Sequence, residues 1–455
     1  MKKIDVAIIG GGPAGYAAAM RAVHYGLSVA LFERQQLGGA CYDSGAVPSK
    51  ILIEKTKGML QLERLRQWGY DIGPASLSFE AAMNTVRQER AALIDELHEA
   101  IMRNDIEYVP HEAFANTNLT VAAGAELYNA TDIVVATGST PFVPPVAGAD
   151  GPGIHTTDTF FELSTRPEKL VIIGAGIIAT ELAHALALIG TDVTLLNRGR
   201  DILQTEEPSA RPLIEQRLRQ AGVNIVMNVD VERFEDGIAH TTKGPFPYSE
   251  VLFATGRKAN IQCVEALELQ LTTAKTLAVT STMATSQPHV YAAGDVAGGM
   301  QLAHVATAEG IQAIEAIVGN RPAPIKPHVI PRCVYTAPEI ASVGILEHEA
   351  MEQTTIVMIP LLANAKFHME SNQRGFMKLI CAMDRETILG ACIVCDGATE
   401  LISIMSVLMA KGTTVSDMTS LIFPHPTKSE ALGELARMMQ GKGLYFNDDV
   451  SVSNV

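Results

Sequence analysis

Ile4–Gly15 reads IDVAIIGGGPAG, and this stretch decides the fold. Ile4–Ile9 is a short apolar run that fits a buried parallel strand. Gly10, Gly12 and Gly15 follow as GxGxxG, with Pro13 and Ala14 inside the motif. A helix then begins, its apolar face running through Ala18, Ala22 and Val23, and Leu27–Phe32 is the next strand, closed by Glu33. The glycines allow a tight turn and close backbone approach to a pyrophosphate. The helix N-terminus offers N–H groups and positive partial charge, and a carboxylate at the second strand's end can accept from ribose hydroxyls. Strand, glycines, helix, strand and acid in this order specify a dinucleotide-binding βαβ unit, where GxGxxG alone would not.

The pattern restarts at Leu170–Ile173, followed by Gly174-Ala175-Gly176 and a helix opening at Ile177, with Ala179 at the third glycine position. Its second strand, Asp192–Leu196, ends in Asn197-Arg198-Gly199-Arg200 instead of an acid. An arginine suits a 2′-phosphate that a carboxylate would repel, so NADPH is favoured and NADH is the alternative. The plain structural reading makes Arg198 and Arg200 exposed surface charges. Asp132–Ala136 is another buried strand, running into Thr137-Gly138-Ser139, and Val251–Asn260 (VLFATGRKAN) repeats the Ala-Thr-Gly signature with Gly256. Val290–Gly298 (VYAAGDVAG) reads as a strand that passes Gly294 and ends at Asp295, a carboxylate able to meet a cofactor hydroxyl or to cap the next helix.

At 455 residues the chain is long enough for about three domains. A net charge of -15 argues against nucleic acid and anionic membrane as partners. No apolar run approaches the roughly 18–20 residues of a membrane span. Met1-Lys2-Lys3 leads directly into a strand with no separate signal segment, and six scattered cysteines are no secreted disulfide framework, so a cytoplasmic enzyme is expected. No metal site is assigned.

Leu37–Lys50 reads LGGACYDSGAVPSK and carries Gly39, Ala40, Cys41 and Lys50; five residues after the cysteine stands Ala46. Ser78–Asp105 is helical in pattern, charged on one side, and expected to pack on the first domain without chemistry. In the last third, Ile330–Gly344 is β-rich, Gly375–Cys395 forms two antiparallel strands around a turn at Asp384–Thr387, and Glu400–Lys411 is an apolar helix. Phe423–Glu430 (FPHPTKSE) is an ordered loop in which Glu430 can orient the imidazole of His425 for acid–base work. Cys392 and Cys395 lie three apart on a strand and point to opposite faces, so they are not expected to pair.

Over nearly its full length the chain resembles the flavoprotein disulfide reductases, the group that includes dihydrolipoamide dehydrogenase, glutathione reductase, mercuric reductase and soluble transhydrogenase. The resemblance rests on GGGPAG at Gly10–Gly15, GGAC and PSK within Gly38–Lys50, GAGIIATE at Gly174–Glu181, ATGRKAN, YAAGDVAGGMQLAH at Tyr291–His304 with Leu302 and Ala303, YTAPEIASVG at Tyr335–Gly344, and HPTKSE at His425–Glu430. The Met300–His304 run and Tyr335–Gly344 lean toward the dihydrolipoamide dehydrogenase and mercuric reductase branches. The resemblance implies an α/β chain with two Rossmann-like dinucleotide-binding domains and an α+β C-terminal dimerisation domain. FAD would bind residues 1–145 and 259–325, NAD(P)H residues 146–258, and residues 326–455 would form a homodimer interface. It places FAD against Gly10, Gly12, Gly15, Glu33 and Asp295, and the nicotinamide cofactor against Gly174, Gly176 and Arg198. Lys50 and Glu181 match a pair near the reactive flavin edge, and His425 and Glu430 would serve the partner subunit's site. Cys263, Cys333 and Cys381 lie in segments expected away from any flavin the chain holds.

Ala46 departs from the family pattern of Cys, four residues, Cys. The substrate-side Cys41 is kept, and the flavin-side thiol that passes electrons between flavin and disulfide is absent. Phe423 departs too, where many relatives carry a second histidine. Hydride transfer from NAD(P)H to FAD does not need the missing thiol, whereas ordinary disulfide turnover does. The expected function is therefore an FAD-dependent NAD(P)H oxidoreductase with an unidentified small or protein-borne electron acceptor. Open alternatives are a disulfide reductase whose second cysteine was engineered to alanine, a single-cysteine thiol/disulfide reductase using Cys41, a soluble transhydrogenase or quinone reductase, and a flavin-bearing non-catalytic subunit. Transhydrogenases also lose the second cysteine, but they lose the histidine as well.

Overall fold

Two parallel sheets of similar design and one antiparallel sheet make up the computed structural model, which describes residues 1–350, 354–370, 375–445 and 453–454. In the first sheet, β1 (Lys2–Ile9) lies parallel between β2 (Val29–Phe32) and the Glu126–Val135 strand. The Val290–Ala292 strand adds to the far side of Glu126–Val135, and an antiparallel hairpin completes the edge. The second sheet is wholly parallel, in the order 224–227, 192–197, 169–173, 250–253, 154–155. Two Rossmann-like units thus precede an α+β C-terminal unit, whose antiparallel strands run in the order 332–334, 339–344, 388–395, 376–382, 354–360.

The near-continuous apolar runs are buried on both sheet faces, as parallel strands require. Helix α1 (Pro13–His24) covers the first sheet through Ala18, Ala19 and Ala22. The Ala303–Ile317 helix crosses it so closely that a Cβ on Gly310 would meet the Ala14 carbonyl oxygen at 2.1 Å. Several sequence boundaries shift: the strand expected at Asp132–Ala136 runs from Glu126 to Val135, and the helix expected at Glu400–Lys411 runs from Ala398 to Ala410. The second strand begins at Val29, and the Val290 strand stops at Ala292, so Asp295 opens a short 3-10 turn.

Residues 37–67 fold as a helix pair, α2 (Gly39–Asp43) and α3 (Ala46–Gln67). The sequence pattern gives no clear helix signal here, because α3 carries apolar side chains toward several neighbours and shows little one-sidedness. Three of its five basic residues stand seven apart on the face toward the other units. Lys50 pairs with Glu181 at 2.7 Å, Lys57 with Glu339 at 2.8 Å and Arg64 with Asp396 at 2.9 Å. Helix α4 (Phe79–Arg103) forms where the pattern is helical and is capped by Ser78, yet it does not pack on the first unit alone. Phe79, Met83 and Val86 join the core of the second unit with Phe160, Phe161 and Leu182.

The chain leaves the first unit along Ser139–Pro141 and returns along Arg257–Ala259, and these crossings pair as an antiparallel ribbon. The second unit is locked to the C-terminal sheet by Lys378, 2% exposed, which donates to Glu207 (2.6 Å), Ser209 (2.7 Å) and Glu347. Removing one member of such a buried pair strands the other charge at about 3–5 kcal/mol. Lys378→Met is therefore expected to lower the thermal unfolding midpoint, and Lys378→Met with Glu207→Gln to recover much of it. Calorimetry of the three proteins measures both effects.

Candidate functional site

The glycine turn after β1 is built for backbone approach. Gly10 has φ +108°, and a Cβ on Gly15 would meet the Gly10 carbonyl at 1.8 Å, so neither position accepts a side chain. Gly12 caps α1 without a side-chain bond and Pro13 follows it, so the first N–H groups of the helix point into the cleft unclaimed by a capping side chain. Glu33 is aimed by two backbone donors, Gly11 N–H to one carboxylate oxygen and Gln35 N–H to the other, each at 2.8 Å. A pocket beside it is lined by Gly10, Glu33, Arg34, His111, Thr137 and Cys263, among others. An anion-ready turn, a fixed acid and a lined pocket fit the adenosine half of a dinucleotide. Cys263 shares this pocket with Gly10 and Glu33, and Cys41 is not among the residues that line it. Burial pushes its thiol up to about 11.

Thr137, Gly138, Gly294 and Asp295 come together at the C-terminal ends of the first sheet's strands. Thr137 and Gly138 are tied to Asn260, and Gly294 N–H donates to Glu309 at 2.7 Å. Asp295 does not cap the following helix, which begins after Leu302 with Ala303 exposed at its N-terminus. Its carboxylate instead accepts from Ser139 Oγ and lies 3.8 Å from Arg257 Nε, itself bonded to Ser139. Ser139, Arg257 and Glu309 escaped notice in the sequence because each lies beside a motif and not at its signature position.

Above this cleft, Gly39 (φ +55°) lets α2 sit against Gly12, where a Cβ would meet Gly12 Cα at 2.9 Å. Ala40 is exposed beside it, and a Cβ on Gly45 would reach the Ala40 carbonyl at 2.6 Å. Arg90 of α4 holds the segment from below, donating to the Asp43 carbonyl at 3.0 Å, a role that the charged face of α4 concealed. Cys41 is a free thiol, pushed up to about 11 mainly by burial; Lys50 lowers it and Asp295 raises it. Ala46 is the exposed first residue of α3. Lys50 Nζ meets Glu181, 1% exposed, whose other oxygen accepts from Tyr335 N–H at 2.8 Å. Cys333 stands two residues before Tyr335, its thiol raised by burial and then by Glu339, Glu206 and Glu181.

The second glycine turn repeats the first. Gly174 has φ +116°, Gly176 caps the Ile177–Leu188 helix without a side-chain bond, and Gly256 has φ +109° opposite. Asn197 ends its strand, and Arg198 and Arg200 are exposed with no ion pair among the described residues. In the C-terminal unit, His425 Nδ1 meets Glu430 at 2.8 Å, and Glu430 also accepts from Thr427 N–H and Asn364. This leaves Nε2 of His425 facing outward, with the side chain 67% exposed. Among the described residues no hydrogen bond joins His425 to the Cys41 segment of its own chain. Cys392 and Cys395 fall in different cores on opposite sheet faces, and neither is bridged. Phe423 packs its ring against Gly433. Among the described residues no metal-binding cluster occurs, and no helix is long and apolar enough to cross a membrane.

Residues 4–310 match the family model of pyridine nucleotide-disulphide oxidoreductases, and residues 330–436 the dimerisation domain of the same group. Dihydrolipoyl dehydrogenase of Bacillus subtilis (strain 168) is 30% identical over 97% of this chain and 99% of its own. That of Geobacillus stearothermophilus is 31% identical over 97% of each. Among solved structures, LpdA of Mycobacterium tuberculosis superposes with a TM-score of 0.89 at 26% identity, covering 96% of this chain and 100% of that one. A Cu(II) complex of the HOCl-induced flavoprotein disulfide reductase RclA of Escherichia coli gives 0.86 at 25% identity, covering 96% and 100%.

A thiol near 11 is essentially un-ionised at neutral pH, and only the thiolate alkylates. The rate of iodoacetamide labelling at Cys41 should therefore still be rising roughly tenfold per pH unit between pH 8 and 10. Lys50→Met should move the profile further up. Peptide mass spectrometry of apoprotein reads both.

Proposed function

The chain belongs to the pyridine nucleotide-disulphide oxidoreductase family, with a dihydrolipoamide dehydrogenase-like architecture, and we propose that it reduces its acceptor with NADPH without a flavin-side thiol. The observation that carries this reading is Ala46, an exposed alanine at the start of α3 in a site that otherwise keeps Cys41, Lys50 and Glu181. When bound, FAD supplies the two-electron chemistry, taking a hydride from the nicotinamide and releasing electrons to an acceptor.

Gly10, Gly12, Pro13, Ala14 and Gly15 would hold the FAD pyrophosphate and Glu33 its ribose. Gly39, Ala40, Thr137, Gly138, Gly256, Gly294, Asp295, Leu302 and Ala303 would line the remainder. Gly174, Gly176, Ile177 and Asn197 would seat NADPH, with Arg198 on its 2′-phosphate. Lys50, tied to Glu181, keeps a cation in the cleft and favours negative charge developing beside it. Ala46 offers no thiolate, so Cys41 has no partner with which to close an internal disulfide. In a homodimer, His425 of one protomer would serve the cleft of the other, with Glu430 fixing Nδ1 and leaving Nε2 to move a proton. That intact pair favours a second reading, in which Cys41 acts as a single thiol on a disulfide acceptor.

Anaerobic NADPH should bleach the flavin of the holoprotein without any long-wavelength thiolate–flavin absorbance, and Ala46→Cys should create that band. A protein left yellow by NADPH would refute the reading. Cys41→Ser should leave dye reduction unchanged under direct transfer and abolish disulfide reduction under the second reading. Arg198→Glu should raise the KM for NADPH about 10- to 100-fold, the range for losing a charge-assisted contact, with little change for NADH. Steady-state kinetics with both nucleotides measures the difference.

A further inference from the structure

We propose that Tyr335 is a positioning residue for Lys50: its ring holds the Lys50 ammonium in the cleft beside Cys41, while its backbone N–H fixes the counter-ion Glu181. The inference rests on reading this cleft as the flavin site. Lys50 Nζ lies 4.9 Å from the centroid of the Tyr335 ring and 2.7 Å from Glu181 Oε2. The Tyr335 N–H donates to Glu181 Oε1 at 2.8 Å. One residue of the C-terminal unit thus touches both members of an ion pair whose halves come from the two nucleotide-binding units.

Lysine has a flexible four-carbon stem, and a single carboxylate contact leaves its ammonium free to swing. A second attraction from a fixed direction removes that freedom. Of the three N–H groups on Nζ, one is taken by Glu181 and one can face the ring, which leaves the third for the cleft. The ring itself is delivered rigidly. Residues 335–338 join two antiparallel strands, 332–334 and 339–344, and Thr336 Oγ1 closes the turn onto the Pro338 carbonyl at 2.7 Å. Thr336 and Ala337 are both buried. The phenol hydroxyl makes no hydrogen bond among the described residues, and it is the ring face that meets the Lys50 ammonium.

The test compares Tyr335→Phe, Tyr335→Leu, Lys50→Met and the Leu/Met double variant as holoenzymes. Flavin midpoint potential and the rate of flavin reduction by NADPH are read on each. Tyr335→Phe should stay within about twofold of the parent rate. Tyr335→Leu should slow reduction roughly 2- to 30-fold, the span of a cation–π contact, and move the potential toward that of Lys50→Met. In the Lys50→Met background, Tyr335→Leu should change neither quantity. If Tyr335→Leu lost FAD, Tyr335→Met would fill the volume without a π face and take its place. A parent-like Leu or Met variant, a Phe variant as slow as Leu, or an additive loss in the double variant would overturn the proposal. A parent enzyme whose flavin NADPH cannot reduce would instead refute the reading of the cleft.

Discussion

Glu181 carries a charge that the fold has taken almost completely out of water, and the donors that satisfy it come from both of the other units. A buried carboxylate without partners costs several kcal/mol, so each of its oxygens must find a donor. Lys50 comes from the first nucleotide-binding unit, Glu181 from the second, and the Tyr335 N–H from the C-terminal sheet. No two of these segments can drift without exposing the carboxylate. The pair adds little net stability beyond what apolar packing would give, but it makes the relative placement of the units specific.

Helix α3 extends the same logic along the seam. Its cations at 50, 57 and 64 face acids on three different elements, two of them in the C-terminal unit. Glu339 is itself buttressed by the backbone N–H and hydroxyl of Thr399, so the middle rung reaches on into the 398–410 helix. Cys41 therefore lies just before, and Ala46 opens, the helix whose cations reach both of the other units.

Both glycine turns, the acid at Glu33 and the His425–Glu430 pair were legible in the sequence because each is a short-range pattern with its own chemical reason. The hairpin at Asp384 and the opposed faces of Cys392 and Cys395 follow from strand periodicity alone. What stayed hidden is contact between segments far apart in the chain. Arg90 looked like one more charge on a solvated face, yet it props the Asp43 carbonyl. Cys263 looked remote, yet the returning chain lays it beside Glu33. The role of the Tyr335 backbone leaves no mark on residue identity at all, since any residue but proline offers an N–H.

The paired crossing at Ser139–Pro141 and Arg257–Ala259 makes the second unit an insertion within the first. This has a consequence for synthesis. During translation β1 emerges early, but the Val290–Ala292 strand and the helix that crosses Ala14 follow only after the whole inserted unit, roughly 15 to 60 s later at ordinary ribosomal rates. Until then the Ile133–Val135 edge and the outer face of α1 have no native cover. The inserted unit has all its own parallel strands in hand by Phe253 and can close first. The sheet of the middle unit can therefore pair in full before the N-terminal sheet does, which until then keeps an uncovered edge.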